Sequence, residues 1–161
     1  MRETIIPRYA TILTMSELIL RAIAPGDAAA VSALTSQLGY SRTPAGILDW
    51  IQSLRSHPRS QVAFVACLDG QVAGWIDVCI ERHLQSAPYA LIGGLVVQDG
   101  HRSRGIGRAL CLRAEEWAWE QGVDTLRVTS RSTRADAHRF YLRDGYTQIK
   151  TSLVFEKRRP R

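Results

Sequence analysis

The sequence predicts an α/β fold of the α+β kind, with a mixed but mostly antiparallel central sheet of about six to seven strands flanked by four helices. Three observations predict it. Strand-like and helical periodicities follow one another in the order β-α-α-β-β-β-α-β-α-β-β. The pair Asp69-Gly70 between two apolar runs signals a hairpin, hence antiparallel pairing. The run from Val97 through a helix to Thr125 is long enough to cross over and bring back a parallel strand.

Taken in order, Glu17 to Ile23 alternates and reads as the first strand. Pro25 starts a helix at its first position, with Asp27 favourable to the dipole and Gly39 as the stop. Pro44 opens a second helix through about His57, with Ile47, Leu48, Ile51 and Leu54 as its apolar stripe. Gln61 to Leu68 and Val72 to about Glu81 form the hairpin strands, and His83 to Pro88 reads as a loop. Tyr89 to Val97 is a near-continuous apolar strand broken by Gly93-Gly94, the mark of a bulge or a close backbone approach. A long helix runs from Gly105 to Gln121, and Thr125 to Thr129 is a short strand. Arg134 to Arg143 is the last helix, and Tyr146 to Ile149 and Thr151 to Glu156 read as two final strands.

Bulk properties narrow the class. A chain of 161 residues, 45% apolar and 22% charged, reads as a soluble globular protein. Residues 1–14 read as an N-terminal extension and 15–161 as one domain. No apolar run reaches the roughly 18 residues needed to cross a bilayer, and no signal peptide stands out. The three cysteines, Cys67, Cys79 and Cys111, have neither metal nor redox spacing and read as small buried hydrophobes in a reducing cytoplasm; no metal is expected. The net charge of +6 suits nucleic acid or a cofactor bearing several phosphates. Basic residues gather at 102–108 and 127–143, beside one glycine-punctuated turn, which favours the cofactor. Trp117 and Trp119 cannot share one helix face, so at least one is exposed or covered by a second subunit, which leaves a homodimer open.

That turn carries the chemistry. Leu95-Val96-Val97 leads into Gln98-Asp99-Gly100-His101-Arg102-Ser103-Arg104-Gly105-Ile106-Gly107-Arg108 and then a helix. A helix N-terminus offers unpaired amides and partial positive charge to an anion, and Arg102, Arg104 and Arg108 add fixed charge. A dinucleotide fingerprint needs a third glycine where Leu110 stands. A nucleoside-triphosphate loop needs Gly-Lys-Ser/Thr, yet the two lysines of the chain, Lys150 and Lys157, are remote. Arg102-x-x-Gly105-x-Gly107 instead resembles the acyl-coenzyme A loop of the GNAT superfamily of N-acetyltransferases. Further on, Ala137, Phe140, Tyr141, Gly145 and Tyr146 match in type and spacing the family's last motif, a helix ending Ala-x-x-aromatic/aliphatic-Tyr-x-x-x-Gly-Phe/Tyr. The two motifs with the element order cover residues 17–156.

The resemblance implies the GNAT fold, acetyl-CoA as co-substrate, and transfer to a primary amine of a small molecule or peptide by direct attack in a ternary complex. It implies that Leu95, Val96 and Val97 splay from the strand at Leu126 to Thr129 and take the pantetheine arm. It implies that amides from Ser103 to Arg108, including those of Arg104, Gly105, Ile106 and Gly107, hold the pyrophosphate, with Arg102, Arg134, His138 and Tyr141 also at the cofactor. Two positions depart from the family. Arg134 stands where an asparagine is usual, and Leu91 stands where relatives often carry a glutamate.

Direct attack requires a neutral amine, and a lysine-like amine at pH 7 is free base only to the order of one part in a thousand. A base must remove a proton, and Asp77 and Glu81, on the strand bordering the acceptor side, are the candidates. A backbone N–H near Val96 would stabilise the oxyanion, and Tyr141 would hydrogen-bond the departing thiolate. The sequence type also resembles aminoglycoside-acetylating relatives, but cationic drugs favour an acidic cleft and no acidic cluster stands out. Leu91 motivates an alternative, an acyl-CoA sensor without turnover. A nucleic-acid binder rests on charge alone and is disfavoured, and no membrane partner is expected.

Overall fold

The computed structural model describes residues 17–160, and the expected extension 1–14 lies outside the described residues. Strand β1 spans Leu18–Ala22. A single 3-10 turn, Pro25–Asp27, follows, with proline at the first position. Asp27 does more than suit a dipole. Its carboxylate takes both terminal nitrogens of Arg21 at 2.7 and 2.8 Å and the Ala24 amide at 2.8 Å. The Arg21 guanidinium thereby holds the Asp27 carboxyl below the usual range. This clamp fixes the exit of β1 against helix α1, Ala28–Gln37. Helix α2, Pro44–Ser53, is capped by Thr43, whose side-chain oxygen accepts the Gly46 amide, and it tightens into a 3-10 turn, Leu54–Ser56.

Strand β2, Gln61–Leu68, turns through Asp69 (φ 49°) and Gly70 (φ 80°) into β3, Gln71–His83. Two positive φ angles in a two-residue connection are the hairpin chemistry that the Asp-Gly pair signals. Strand β4 starts earlier than expected and spans Ser86–Val97. The segment expected to be a loop is therefore mostly ladder: His83 pairs with Ser86 around a two-residue tip, Leu84 and Gln85. Helix α3 is Ile106–Glu120, β5 is Leu126–Val128 and α4 is Ala135–Arg143.

The sheet runs β1-β2-β3-β4-β5, antiparallel except for the parallel pair β4/β5. Strand alternation sends Phe64, Ala66, Ile76, Val78, Ala90 and Ile92 to the face covered by α3, where Ile106, Leu110, Ala114 and Trp117 meet them. Val65, Cys67, Trp75 and Val96 face α1 and α2. Trp117 is buried and Trp119 is 46% exposed, as their spacing requires.

The described sheet has five strands rather than six to seven. Tyr146–Ile149 and Thr151–Glu156 are extended by sequence pattern but unpaired, and residues 147–160 are exposed throughout. An apolar alternation becomes a strand only when a neighbouring edge accepts its hydrogen bonds, and among the described residues none does so here.

Candidate active site

Strands β4 and β5 touch only briefly. Ala90, Leu91 and Ile92 pair with Leu126, Arg127 and Val128, and there β5 ends while β4 runs on to Val97. The expected separation thus begins one step later than the sequence reading placed it. Leu126–Val128 is zipped to β4, and the gap opens beside Leu95, Val96 and Val97. It opens at the paired glycines, where the register between β3 and β4 shifts at Asp77/Val78 opposite Gly94 and Ile92, leaving Gly93 as the extra residue.

The glycines leave room for the side chains that face them. A Cβ on Gly93 would lie 2.4 Å from Asp77 Oδ2, and one on Gly94 would lie 2.7 Å from the Trp75 ring and 3.0 Å from Asp77 Oδ1. The Asp77 carboxyl therefore sits in the notch that the bulge creates, at the start of the gap. Burial pushes it up to about 6, against amide hydrogen bonds from Gly94 and from Asp77 itself that favour the anion. Glu81 shares the face four residues on but lies farther from the gap. It accepts the Cys79 thiol at 3.3 Å and meets His83 Nε2 at 3.3 Å, and His83 in turn shares a hydrogen bond with Tyr89. Asp77 and Glu81 are thus brought to one open strip of sheet, past the edge of the α1/α2 layer, in different settings.

Backbone direction along the gap selects which amides near Val96 are free to meet a ligand. Gln98 donates its amide to Ala73 of β3. Alternation then turns the Val96 amide toward β3 as well, and leaves the Leu95 and Val97 amides facing the gap. The Val97 carbonyl accepts Gln37 Nε2 of α1 at 2.8 Å, and the same side chain accepts the Asp99 amide at 2.9 Å. Nothing in the sequence pattern singles out Gln37 for this double bond across the fold.

The turn before α3 is built to leave amides bare. Ser103 (φ 62°) and Gly105 (φ 79°) both take the left-handed conformation, and Gly105 is the helix N-cap without a side-chain cap. Among the described residues the amides from Ser103 to Arg108 meet no acceptor, and Ala109 is the first to bond back, to Gly105. Arg102 pairs with Asp99 at 3.0 Å in the open, and Arg104 leans on His101 at 3.4 Å. The two glycines act differently. Gly105 supplies the positive φ with open space around it, whereas a Cβ on Gly107 would press on the Phe140 ring at 3.3 Å. Gly107 is where α4 approaches α3.

Arg102, Thr133, Arg134, Ala135, Asp136 and Ala137 line a 310 Å³ cleft between this turn and the start of α4. Arg134 occupies the N-cap of α4 and makes no capping bond, since a guanidinium has no acceptor. His138 Nε2 lies 3.0 Å from the Arg131 carbonyl, which ties α4 to the loop before it. Tyr141 packs edge-on against Phe140 and Tyr146, and burial pushes its hydroxyl up to about 12. Tyr146 donates to Glu115 of α3 at 3.3 Å. Cys67, Cys79 and Cys111 are unbonded to one another, and among the described residues no group of three metal-binding side chains occurs.

The model of the acetyltransferase (GNAT) family matches residues 29–146, a span holding both motifs, the bulge and the gap. The chain belongs to the GNAT family. An aminoalkylphosphonate N-acetyltransferase of Salmonella typhimurium is 39% identical over 85 residues, which are 52% of this chain and 55% of that one, so the match spans about half of the relative. An uncharacterised N-acetyltransferase of Chlorobaculum tepidum is 31% identical over 81% of this chain and 76% of its own. The aminoglycoside N-acetyltransferase AAC(6')-Iy in complex with CoA superposes with a TM-score of 0.82 over 91% of this chain and 99% of its own, at 17% identity. That likeness is one of fold.

Proposed function

We propose that this GNAT chain moves an acetyl group from acetyl-CoA to the primary amine of a small molecule or peptide, by direct attack in a ternary complex. The observation that carries the reading is the gap between β4 and β5 opening straight onto the uncapped amides before α3. A pantetheine arm fits as a surrogate strand along β4, where Leu95 and the Val97 amide face the gap. A diphosphate fits the amides from Ser103 to Arg108, and the cleft between Arg102 and Arg134 continues in the same direction.

Asp77 then serves as the base. It stands at the mouth of the gap with a carboxyl raised to about 6, so at pH 7 it is ionised and a stronger proton acceptor than an ordinary aspartate. It takes the proton as the amine nitrogen bonds to the thioester carbon. The carbon–sulfur bond breaks, and Tyr141, which stays protonated, hydrogen-bonds the thiolate. An amide of Leu95 or Val97 is placed for the oxyanion. Asp77 also answers the Leu91 departure, because a carboxyl reaches the gap from the neighbouring strand. The name of the Salmonella relative supports a small acceptor, and unpaired cysteines support a cytoplasmic setting.

A panel of amines, incubated with acetyl-CoA and read as free coenzyme A thiol, tests the reading. Thiol release that depends on the amine and falls at least 100-fold in Asp77→Asn supports it. Tight acetyl-CoA binding without release across aliphatic amines, amino acids, aminophosphonates and peptides supports the sensor instead.

A further inference from the structure

The strip of sheet that carries Asp77 ends, on its far side, in a cation with nothing to hold. Strand alternation puts Asp77, Cys79 and Glu81 of β3, Tyr89 and Leu91 of β4 and Arg127 of β5 on one face, because Ile76, Val78, Ala90 and Ile92 between them are buried under α3. Arg127 lies across Tyr89, its guanidinium carbon 4.0 Å from the ring centre. Stacking orients a guanidinium but leaves its in-plane donors unspent. Nε is buried without an acceptor. Among the described residues Arg127 makes no ion pair. The side chain is only half-buried, so its terminal nitrogens stay open to solvent while Nε is closed off.

The acid nearest along the strip does not neutralise it. Glu81 stands opposite Tyr89 in the ladder, but its Oε1 takes the Cys79 thiol and its Oε2 meets His83 Nε2, each at 3.3 Å. The residue in direct register with Arg127 is Leu91. A carboxylate at position 91 would stand beside the guanidinium as its counter-ion. The uncharged leucine leaves that place to a ligand.

We propose, on the transferase reading of the gap, that the acceptor is a small amine bearing an anionic group, a carboxylate or phosphonate, several bonds from its nitrogen. Asp77 receives the amine and Arg127 holds the anion. Two strand spacings of about 4.8 Å and two residues of about 3.3 Å rise set the two α carbons about 12 Å apart. Tyr89, two residues before Leu91, draws the guanidinium away from Asp77 rather than toward it. The adjacent charges of an α-amino acid therefore cannot meet both groups. A guanidinium receives a carboxylate through two parallel N–H···O bonds, which fixes the far end of the acceptor and with it the direction of the amine. A zwitterion so placed lays each charge over its opposite, whereas a diamine sets a second cation against Arg127.

The test compares ω-aminohexanoate with its neutral amide, which share one length and one amine. The full-length protein with saturating acetyl-CoA is expected to favour the acid at least tenfold in kcat/KM, read as free thiol. Arg127→Gln is expected to bring that ratio within twofold of one, and Arg127→Lys to keep part of the preference. Leu91→Glu is expected to collapse the ratio by supplying an internal counter-ion, while Leu91→Gln, matched to it in shape, keeps it. A merely structural role would not separate those two variants, and they carry the test should Arg127→Gln misfold. An ω-aminoalkylphosphonate of equal length, run beside the acid, tells which anion the site prefers, and preference for either over the amide supports the assignment. Equal use of acid and amide by the wild type, or a stronger preference for the α,ω-diamine of equal length, overturns it. Calorimetric binding of acid and amide with free coenzyme A present is expected to show the same preference and keeps two failures apart. A binding preference without thiol release ends the transferase reading alone, and equal binding ends the assignment of Arg127.

Discussion

Asp77 shows how a single side chain joins stability to chemistry. Its raised carboxyl means that the folded protein binds its proton more tightly than the unfolded chain does. The stabilising contribution is complete below about pH 4 and is lost as pH rises through about 6. By pH 7.5 the buried anion costs about 3 kcal/mol at most. Asp77→Asn is therefore expected to raise the melting temperature at pH 7.5 while it removes activity, the opposed signature of a strained functional group. In the wild type, kcat/KM is expected to rise with pH and level off above an apparent value of about 6. A flat profile from pH 5 to 8 under conditions where chemistry limits the rate would exclude Asp77 as the base. Tyr141 is the complementary case. With its hydroxyl pushed up to about 12, it donates a hydrogen bond without losing the proton. A donor to a developing anion contributes about 1.5–3 kcal/mol. Tyr141→Phe is accordingly expected to lower kcat by roughly 10- to 100-fold, with the KM for acetyl-CoA within twofold. Unchanged turnover would remove it from the thiolate.

Between elements, the decisive feature is how α3 begins. Its first turn is held open by one left-handed glycine, and behind it a Cβ on Gly107 would meet a phenylalanine of α4 at 3.3 Å. A ligand that binds only the folded state at a hundred times its dissociation constant adds about 2.7 kcal/mol, a shift readily seen on heating. Acetyl-CoA is expected to protect the wild type in this way. Gly105→Val should abolish the protection by forcing a β-branched residue to positive φ. Gly107→Val should weaken it by driving Phe140 and α4 away. Intact protection in both variants would move the diphosphate elsewhere.

For the molecule as a whole, much was legible before any coordinates. Local signals with one physical meaning were sound, such as the Asp69-Gly70 turn, the proline starts of the first two helical segments and the glycine break opposite Asp77. The two separated motifs sufficed for the family. What escaped the sequence was relational. The His83–Ser86 hairpin tip looked like a loop because the stretch His83 to Pro88 is mostly polar or proline, although its flanks pair, with a register shift between Glu81 and His83. The direction of the Val96 amide depends on which residues of β3 and β4 bond, and no pattern of side chains reports that. That the Cβ direction of Gly107 faces Phe140, thirty-three residues away, is likewise invisible in the local pattern. The closing strands were predicted from a real alternation, but pairing is a property of two segments and only one was in view.

Gln37 has a consequence for the order of events. Its single carboxamide grips the last carbonyl of β4 and the first amide of the turn, while its backbone belongs to a helix layered over the face where the amine would lie. A polyanion that draws the turn toward itself pulls on α1 through this tether, so the two sites are coupled, and donor and acceptor are expected to change each other's affinity by the same factor.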